Sequence, residues 1–162
     1  MWQFIGEYIW IFIISMVPLV ELRGAVPIGL GFGLPLIPTY ITAVIGNMLP
    51  VPIILLWCKP VLLWCCKLPK VGKIFDKIYQ KGVKAGDKMQ QKAGKGIYWA
   101  LFVFVAIPLP GTGAWTGCLG ATLLDLKFWP SVLAVLAGVM TAGILMSLAS
   151  MGIFGALGAL FA

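Results

Sequence analysis

The sequence is poor in charge and contains no histidine. Only 10% of its 162 residues are charged, 61% are hydrophobic, and the mean hydropathy is +1.03. A soluble domain needs more polar surface than this to cover its exterior, so the composition predicts an integral membrane protein. The lack of histidine excludes a histidine-based catalytic triad and a mixed cysteine–histidine metal site.

The four cysteines do not have the spacing of a metal or redox site. Cys65 and Cys66 are adjacent, while Cys58 and Cys118 stand apart, so no C-x-x-C pair occurs. We interpret all four as small apolar residues in contact with lipid or the core. The sequence also offers no activated nucleophile and no oriented general base. We therefore expect no enzymatic activity, no metal and no cofactor.

Most of the positive charge lies in one basic segment, residues 67–95, which has nine lysines and two aspartates. The positive-inside rule predicts that this segment faces the cytoplasm. Its lysines recur every three or four residues, which favours an amphipathic helix lying on the inner leaflet with lipid headgroups beside one stripe. The stripe includes Lys70, Lys73, Lys77, Lys81, Lys84 and Lys88. A solvated loop that only sets topology is the alternative, and the tether to a membrane argues against nucleic-acid binding.

The basic segment separates two apolar halves, residues 1–66 and 96–162, within a single membrane domain. In the first half, prolines and glycines predict two short helices around a break at 18–24, followed by a span over 39–58. The second half has the same order: a helix at 97–107, a break at 108–113, a returning helix at 114–125 and a span at 129–149. Identities between the halves lie 90 residues apart before the break and 89 after it.

If each broken pair enters and leaves on one side, each half crosses the bilayer once and the halves are inverted. The predicted fold is an all-α integral membrane protein with two inverted repeats. Each repeat is a re-entrant helical hairpin plus a transmembrane helix, and the cytoplasmic Lys-rich helix joins them. Because so small a chain has few spans, we expect a homodimer or larger assembly to enclose any path.

Glu21 and Arg23 are the charged residues of the first predicted break. Ionisable groups at membrane depth are expensive and are kept mostly where they face a cavity or each other. In the functional interpretation, Arg23 attracts an anion, helped by a helix N-terminus near Gly24, and Glu21 binds a proton or a cation. The alternative interpretation is a structural ion pair, or residues at the interface.

The second predicted break, "IPLPGTGAWTG", has no charge. Its prolines fix the backbone, its glycines leave amide groups uncovered, and Thr112 and Trp115 carry hydrogen-bond donors. These groups could hold a phosphate or carboxylate, or they could form a turn packed against the first break. Asn47 is a further polar residue that could line a route, although helix packing is the favoured interpretation.

The motifs "SMVPLVELRGAVPIG" at 15–29 and "VAIPLPGTGAWTG" at 105–117 resemble the small multi-drug export protein family. The layout is also similar to the DedA / SNARE-associated Golgi protein superfamily, a more distant likeness. The resemblance implies membrane transport. It assigns substrate or proton binding to the following residues: Glu21, Arg23, Pro108, Pro110, Gly111, Thr112, Gly113 and Trp115.

We accordingly predict a proton-coupled transporter in the cytoplasmic membrane. Its substrate would be a small amphipathic compound or a lipid phosphate such as a polyprenyl phosphate. A lipid-binding scaffold or assembly factor that does not transport is the alternative hypothesis. The expected partners are membrane lipids, the substrate, protons and further copies of the chain.

Overall fold

A computed structural model describes residues 2–67, 72, 76–77, 79–80, 96–109 and 112–161, with side-chain environments described only within 5–152. These residues are almost entirely helical and contain no strand, which confirms the predicted all-α class for them. The helices are α1 (Trp2–Met16), α2 (Glu21–Gly31), α3 (Leu36–Met48), α4 (Pro50–Cys66), α5 (Gly96–Ala106), α6 (Ala114–Leu123) and α7 (Phe128–Phe161).

The first break is shorter than predicted. It covers residues 17–20, because Pro18 disfavours a helical residue before it and α1 ends at Met16. The chain turns through Glu21, whose φ of 53° is left-handed, and α2 begins at that residue. The predicted break at 18–24 is therefore wrong at its C-terminal boundary, residue 24. Gly24 lies inside α2 and does not begin a helix.

The turn after α2 and the turn after α6 have the same geometry. Gly33 has a φ of 77°, and the amide of Leu34 bonds the carbonyl of Gly29 at 3.1 Å. The same hydrogen bond recurs 92 residues later. There Asp125 has a φ of 52°, and the amide of Leu126 bonds the carbonyl of Ala121 at 2.9 Å. Both are Schellman-type helix ends, which need a left-handed residue to satisfy the last carbonyls.

The same spacing of 92 continues into the long helices. The hydroxyl of Thr39 donates to the carbonyl of Pro35 at 2.8 Å, and Ser131 donates to Lys127 at the same distance. Before the break the spacing is 90, since α1 ends at Met16 and α5 at Ala106. The spacing between the halves thus increases by two residues across the breaks. The predicted spacing of 89 is wrong because chance identities of glycine and alanine suggested it.

Two glycines, again 92 residues apart, let helices approach closely. A methyl group on Gly46 of α3 would stand 2.6 Å from the carbonyl oxygen of Phe12 in α1. A methyl group on Gly138 of α7 would stand 3.0 Å from the carbonyl oxygen of Phe102 in α5. Each long helix therefore packs backbone to backbone on the first helix of its own half.

Two stretches of the described chain are long and apolar enough to cross a membrane, Leu36–Cys66 and Phe128–Gly152. The first joins α3 and α4 through Leu49, so the predicted span at 39–58 is too short at both ends. The two stretches run antiparallel. The Tyr40 hydroxyl donates to the carbonyl of Met140 at 3.0 Å, and Lys59 pairs with Asp125 at 2.7 Å farther along.

The second helix of each hairpin packs on the long helix of the other half, α2 on α7 and α6 on α4. The core between them is apolar and includes Ile11, Leu22, Val26, Val105, Val135 and Val139. The outer surface is apolar as well: Ile37 is 70% exposed and Trp57 is 65% exposed. A surface of this kind suits a lipid environment and not water.

We predict that Gly138→Ala destabilises the protein by about 1–3 kcal/mol, because the added methyl group would lie 2.7 Å from Cβ of Val105. Thermal unfolding in detergent measures the effect. Gly120→Ala in α6 is the matched control, since nothing lies within 4 Å of its added methyl group and alanine favours the helix. Equal loss of stability in both variants would contradict the close approach of α5 and α7.

Candidate functional site

The two breaks pack against each other, and Arg23 makes the principal contacts from the first half. Its Nη1 donates to the carbonyl of Leu109 and, at 2.8 Å, to the hydroxyl of Thr112. Its Nη2 donates to the carbonyl of Val105 at 3.1 Å. One guanidinium therefore joins three acceptors at the C-terminal end of α5 and in the second break, a use for which its planar set of donors is suited.

The Val105 carbonyl needs a donor because the second break does not supply one. In an unbroken helix the amide of Leu109 would bond to Val105, but here it bonds to Ile107 at 2.9 Å. Pro108 has no amide hydrogen to offer. Arg23 therefore caps the C-terminal end of α5, where its positive charge also interacts favourably with the negative end of the helix dipole.

Glu21 caps the opposite helix end. Its side chain is 5% exposed, and its Oε1 accepts a hydrogen bond from the amide of Trp115 at 3.1 Å, in the first turn of α6. A methyl group on Gly113 would overlap Oε2 of Glu21, so the carboxylate lies directly on this glycine. Helix α6 has no side-chain cap of its own at Gly113. A carboxylate at a helix N-terminus satisfies its free amides and its positive dipole end.

The left-handed backbone at Glu21 explains how two residues at i and i+2 can face the same partner. On a regular helix they would point to different sides. Here Glu21 contacts the start of α6 and Arg23 contacts the end of α5, which are the two helix ends that flank the second break. Glu21 and Arg23 do not form a salt bridge with each other, and each bonds to the second break instead.

Trp115 makes a contact in the reverse direction. Its indole Nε1 donates to the carbonyl of Met16, the last residue of α1, at 3.1 Å. Trp115 stands 92 residues after Arg23. The residues at these equivalent positions thus each cap the C-terminal end of the first helix in the other half.

Asn47 lies beside these groups. It borders a narrow crevice together with Glu21, Arg23, Val105 and Val139. Its side chain is 2% exposed, and its Oδ1 has no hydrogen-bond partner. The crevice therefore contains an unused buried acceptor next to a carboxylate.

The other predicted residues are distributed as follows. Thr112, Gly113 and Trp115 all contact the charged pair of the first break. Pro108 is exposed, and its role is to withhold an amide donor. Pro110 and Gly111 lie outside the described residues, as do Lys70, Lys73, Lys81, Lys84 and Lys88. Lys77 is described and exposed.

The arrangement departs from the predicted anion site in one respect. Arg23 contacts carbonyl oxygens, and Glu21 occupies the N-terminal turn of α6, so neither group faces an open cavity. Sequence reasoning missed the acceptors Met16, Val105 and Leu109, because backbone carbonyls carry no residue signature. The available signal was Pro108, which cannot continue α5 and so leaves the last carbonyls of that helix without amide donors. Within the described residues, no three His, Cys, Asp or Glu side chains group as metal ligands.

A family model described as "Putative small multi-drug export protein" matches residues 21–145, which is most of the chain and begins at Glu21. The chain belongs to this family. No protein of curated function and no solved structure matches it. Membership, together with the two long apolar stretches, makes this export-family protein a membrane protein and favours transport in general. The likeness to the DedA superfamily stays a prediction.

We predict that Gly113→Ala costs more stability than Gly33→Ala, although both glycines have positive φ values, 148° and 77°. Gly33→Ala meets nothing within 4 Å and should cost only the backbone penalty of about 1–2 kcal/mol. Gly113→Ala must also displace the Glu21 carboxylate, so we expect about 3 kcal/mol or more in thermal unfolding.

A Glu21→Ala background provides the control for this comparison. If the carboxylate causes the extra cost, the difference between the two glycine variants should shrink there. An unchanged difference would mean that Glu21 does not press on Gly113.

Proposed function

We propose that this protein is a small multipass transporter of the cytoplasmic membrane, coupled to protons, that moves an amphipathic or lipid-phosphate (polyprenyl-phosphate-like) substrate. The observation that carries the proposal is the reciprocal capping between the breaks. Glu21 and Arg23, buried or half-buried in an apolar protein, hold together two halves at interrupted helices. Transporters place their binding groups at interrupted helices of this kind.

The depth of the contact supports this proposal. Asn47 comes 11 residues after Leu36, and Val139 comes 11 residues after Phe128, where the long stretches begin. At about 1.5 Å per residue both lie about 17 Å along their helices. That is roughly half of a hydrocarbon core about 30 Å thick. The capping contact would therefore lie near the bilayer midplane.

Helix lengths support re-entrant hairpins. Helix α1 has 15 residues and α2 has 11, which correspond to about 22 Å and about 16 Å. Helices α5 and α6 have 11 and 10 residues, so neither is longer than α2. Each is too short to cross about 30 Å of hydrocarbon, and the antiparallel long helices fit two inverted halves. The basic segment would then face the cytoplasm and attract anionic lipid.

Proton coupling follows from the position of Glu21. A proton on its carboxylate would remove the negative charge from the N-terminal turn of α6 and weaken the bond from the Trp115 amide. The freed amides of α6 and the guanidinium of Arg23 could then bind an anionic headgroup. Proton and substrate would thereby open the same contact between the halves, which is the coupling that a transporter requires.

The test is transport by purified protein in vesicles under a pH gradient, with a fluorescent polyprenyl phosphate and a lipophilic cationic dye as separate probes. We expect Glu21→Gln and Arg23→Ala each to reduce flux at least about tenfold, which corresponds to ~1.4 kcal/mol. Lys127→Gln, an exposed charge change after α6, should leave flux unchanged.

Unchanged flux in both site variants would overturn the proposed site. Binding of anionic vesicles without any flux, lost when lysines of the basic segment are neutralised, would instead support the scaffold hypothesis. We expect a homodimer or larger assembly, which the mass of the detergent-solubilised protein measures.

A further inference from the structure

An apolar groove of about 240 Å³ lies where the start of α3 meets the second half of α7. Its walls carry no charge and are formed mainly by Leu36, Ile37, Tyr40, Ile144, Leu148 and Met151. A groove with these walls suits a hydrocarbon chain.

The groove contains one polar atom that lacks a partner. Ser147 lines it, is 7% exposed, and its hydroxyl oxygen has no hydrogen-bond partner. A buried hydroxyl without a partner costs about 1–3 kcal/mol. The cost has a reason if a ligand atom supplies the missing hydrogen bond.

The groove adjoins the crevice of the candidate site. Ala142 borders the crevice and Ile144 borders the groove, so one residue of α7, Gly143, separates them. At Gly143 between them, an added methyl group would meet Tyr40 of the groove at 2.5 Å and Leu22 of the crevice at 3.2 Å. Tyr40 and Leu22 thus both pack on Gly143, which places the groove beside the crevice.

The equivalent place at the other end of the long helices has different side chains. Met151 stands 92 residues after Lys59, and Asp125 stands 92 residues after Gly33. Lys59 and Asp125 form an ion pair at 2.7 Å. At the position equivalent to Ser147 the chain has Leu55, which packs against the buried core. A leucine and a lysine in an ion pair therefore stand at the positions where the groove has Ser147 and Met151.

These two places are about one bilayer apart. From Ile37 to Lys59 is 22 residues along α3 and α4, or about 33 Å if helical throughout. The hydrocarbon core of a membrane is about 30 Å thick. With the basic segment in the cytoplasm, the ion pair lies near the cytoplasmic face and the groove lies near the outer face.

We infer that the groove is the outward-facing site for the hydrocarbon chain of an anionic amphiphile, and that the Lys59–Asp125 ion pair closes its cytoplasmic counterpart. The headgroup would lie towards Arg23, and the Ser147 hydroxyl would bond a polar atom near the head. This inference rests on the proposed transport function and names the substrate class. In alternating access, a single conformational state has one of two equivalent sites open and the other closed.

The test uses hexadecyl phosphate with a photoreactive diazirine at the chain end, added to the full-length protein in vesicles. Labelled peptides are identified by mass spectrometry. We expect labelling of residues 144–151, and a drop of at least about fivefold in Ser147→Leu, which copies the filled position of Leu55. Thr141→Leu, on the same helix but outside the groove lining, adds similar bulk and should label like the unaltered protein. Ser147→Ala, which removes the hydroxyl without filling the groove, should label at an intermediate level.

Several outcomes would overturn the inference. Equal labelling by a phosphatidylcholine with the same diazirine means that bilayer lipid fills the groove. Displacement of the label by tetraphenylphosphonium but not by decyl phosphate would overturn the anionic substrate class. Labelling and flux that are unchanged in Ser147→Leu would remove the groove while leaving the transport proposal intact. If no variant shows flux but the groove is still labelled, the transport proposal is wrong and the proposed binding site in the groove stands.

The ion pair is tested by Lys59→Met, which copies Met151 at the equivalent position. We expect new labelling of residues 52–59 by the same probe, because the cytoplasmic site is no longer held closed. Lys127→Gln, a nearby exposed charge change, should add no label. Unchanged labelling of α4 in the folded Lys59→Met variant would show that the ion pair does not close this end.

Discussion

Interrupted helices in an apolar protein depend on donors and acceptors from elsewhere, and here one half of the chain supplies them to the other. The second break separates the end of α5 from the start of α6 and exposes carbonyls on one side and amides on the other. Arg23 bonds the carbonyls of Val105 and Leu109, and Glu21 accepts from the amide of Trp115. Without them, the Val105 carbonyl and the Trp115 amide would lie unsatisfied in a medium that has no water to replace them.

The same contact accounts for both stability and the capacity to change. Charge-assisted hydrogen bonds are strong where water is scarce, so they hold the halves together. They are also the bonds most sensitive to a proton or a competing anion, because either one alters the charge that sustains them. Neutral side chains at the two breaks could cap the helix ends but would not respond to protons. The buried acceptor of Asn47 adds a further group that a rearrangement could use.

Prolines and glycines interrupt the long apolar run of each half. From these interruptions the sequence predicted the broken helices. It misplaced the first break, since Gly24 is a helix breaker by propensity but lies within α2, where packing decides. It could not reveal the partners of Glu21 and Arg23, because these are backbone groups some 90 residues away that any sequence could supply. The spacing of 92 emerged from hydrogen bonds such as Thr39 to Pro35 and Ser131 to Lys127, which involve different residue types in the two halves.

The lack of charge in the second break has a physical reason in this arrangement. Gly113 stands at the position equivalent to Glu21, and the Glu21 carboxylate lies directly on it. An acid at both positions would therefore bring two carboxylates into contact. Like charges at that distance cannot both ionise. A glycine opposite the glutamate avoids this repulsion and leaves room for the carboxylate to reach the amide of Trp115. One charged break and one uncharged break are therefore the combination that two closely matched halves can accommodate.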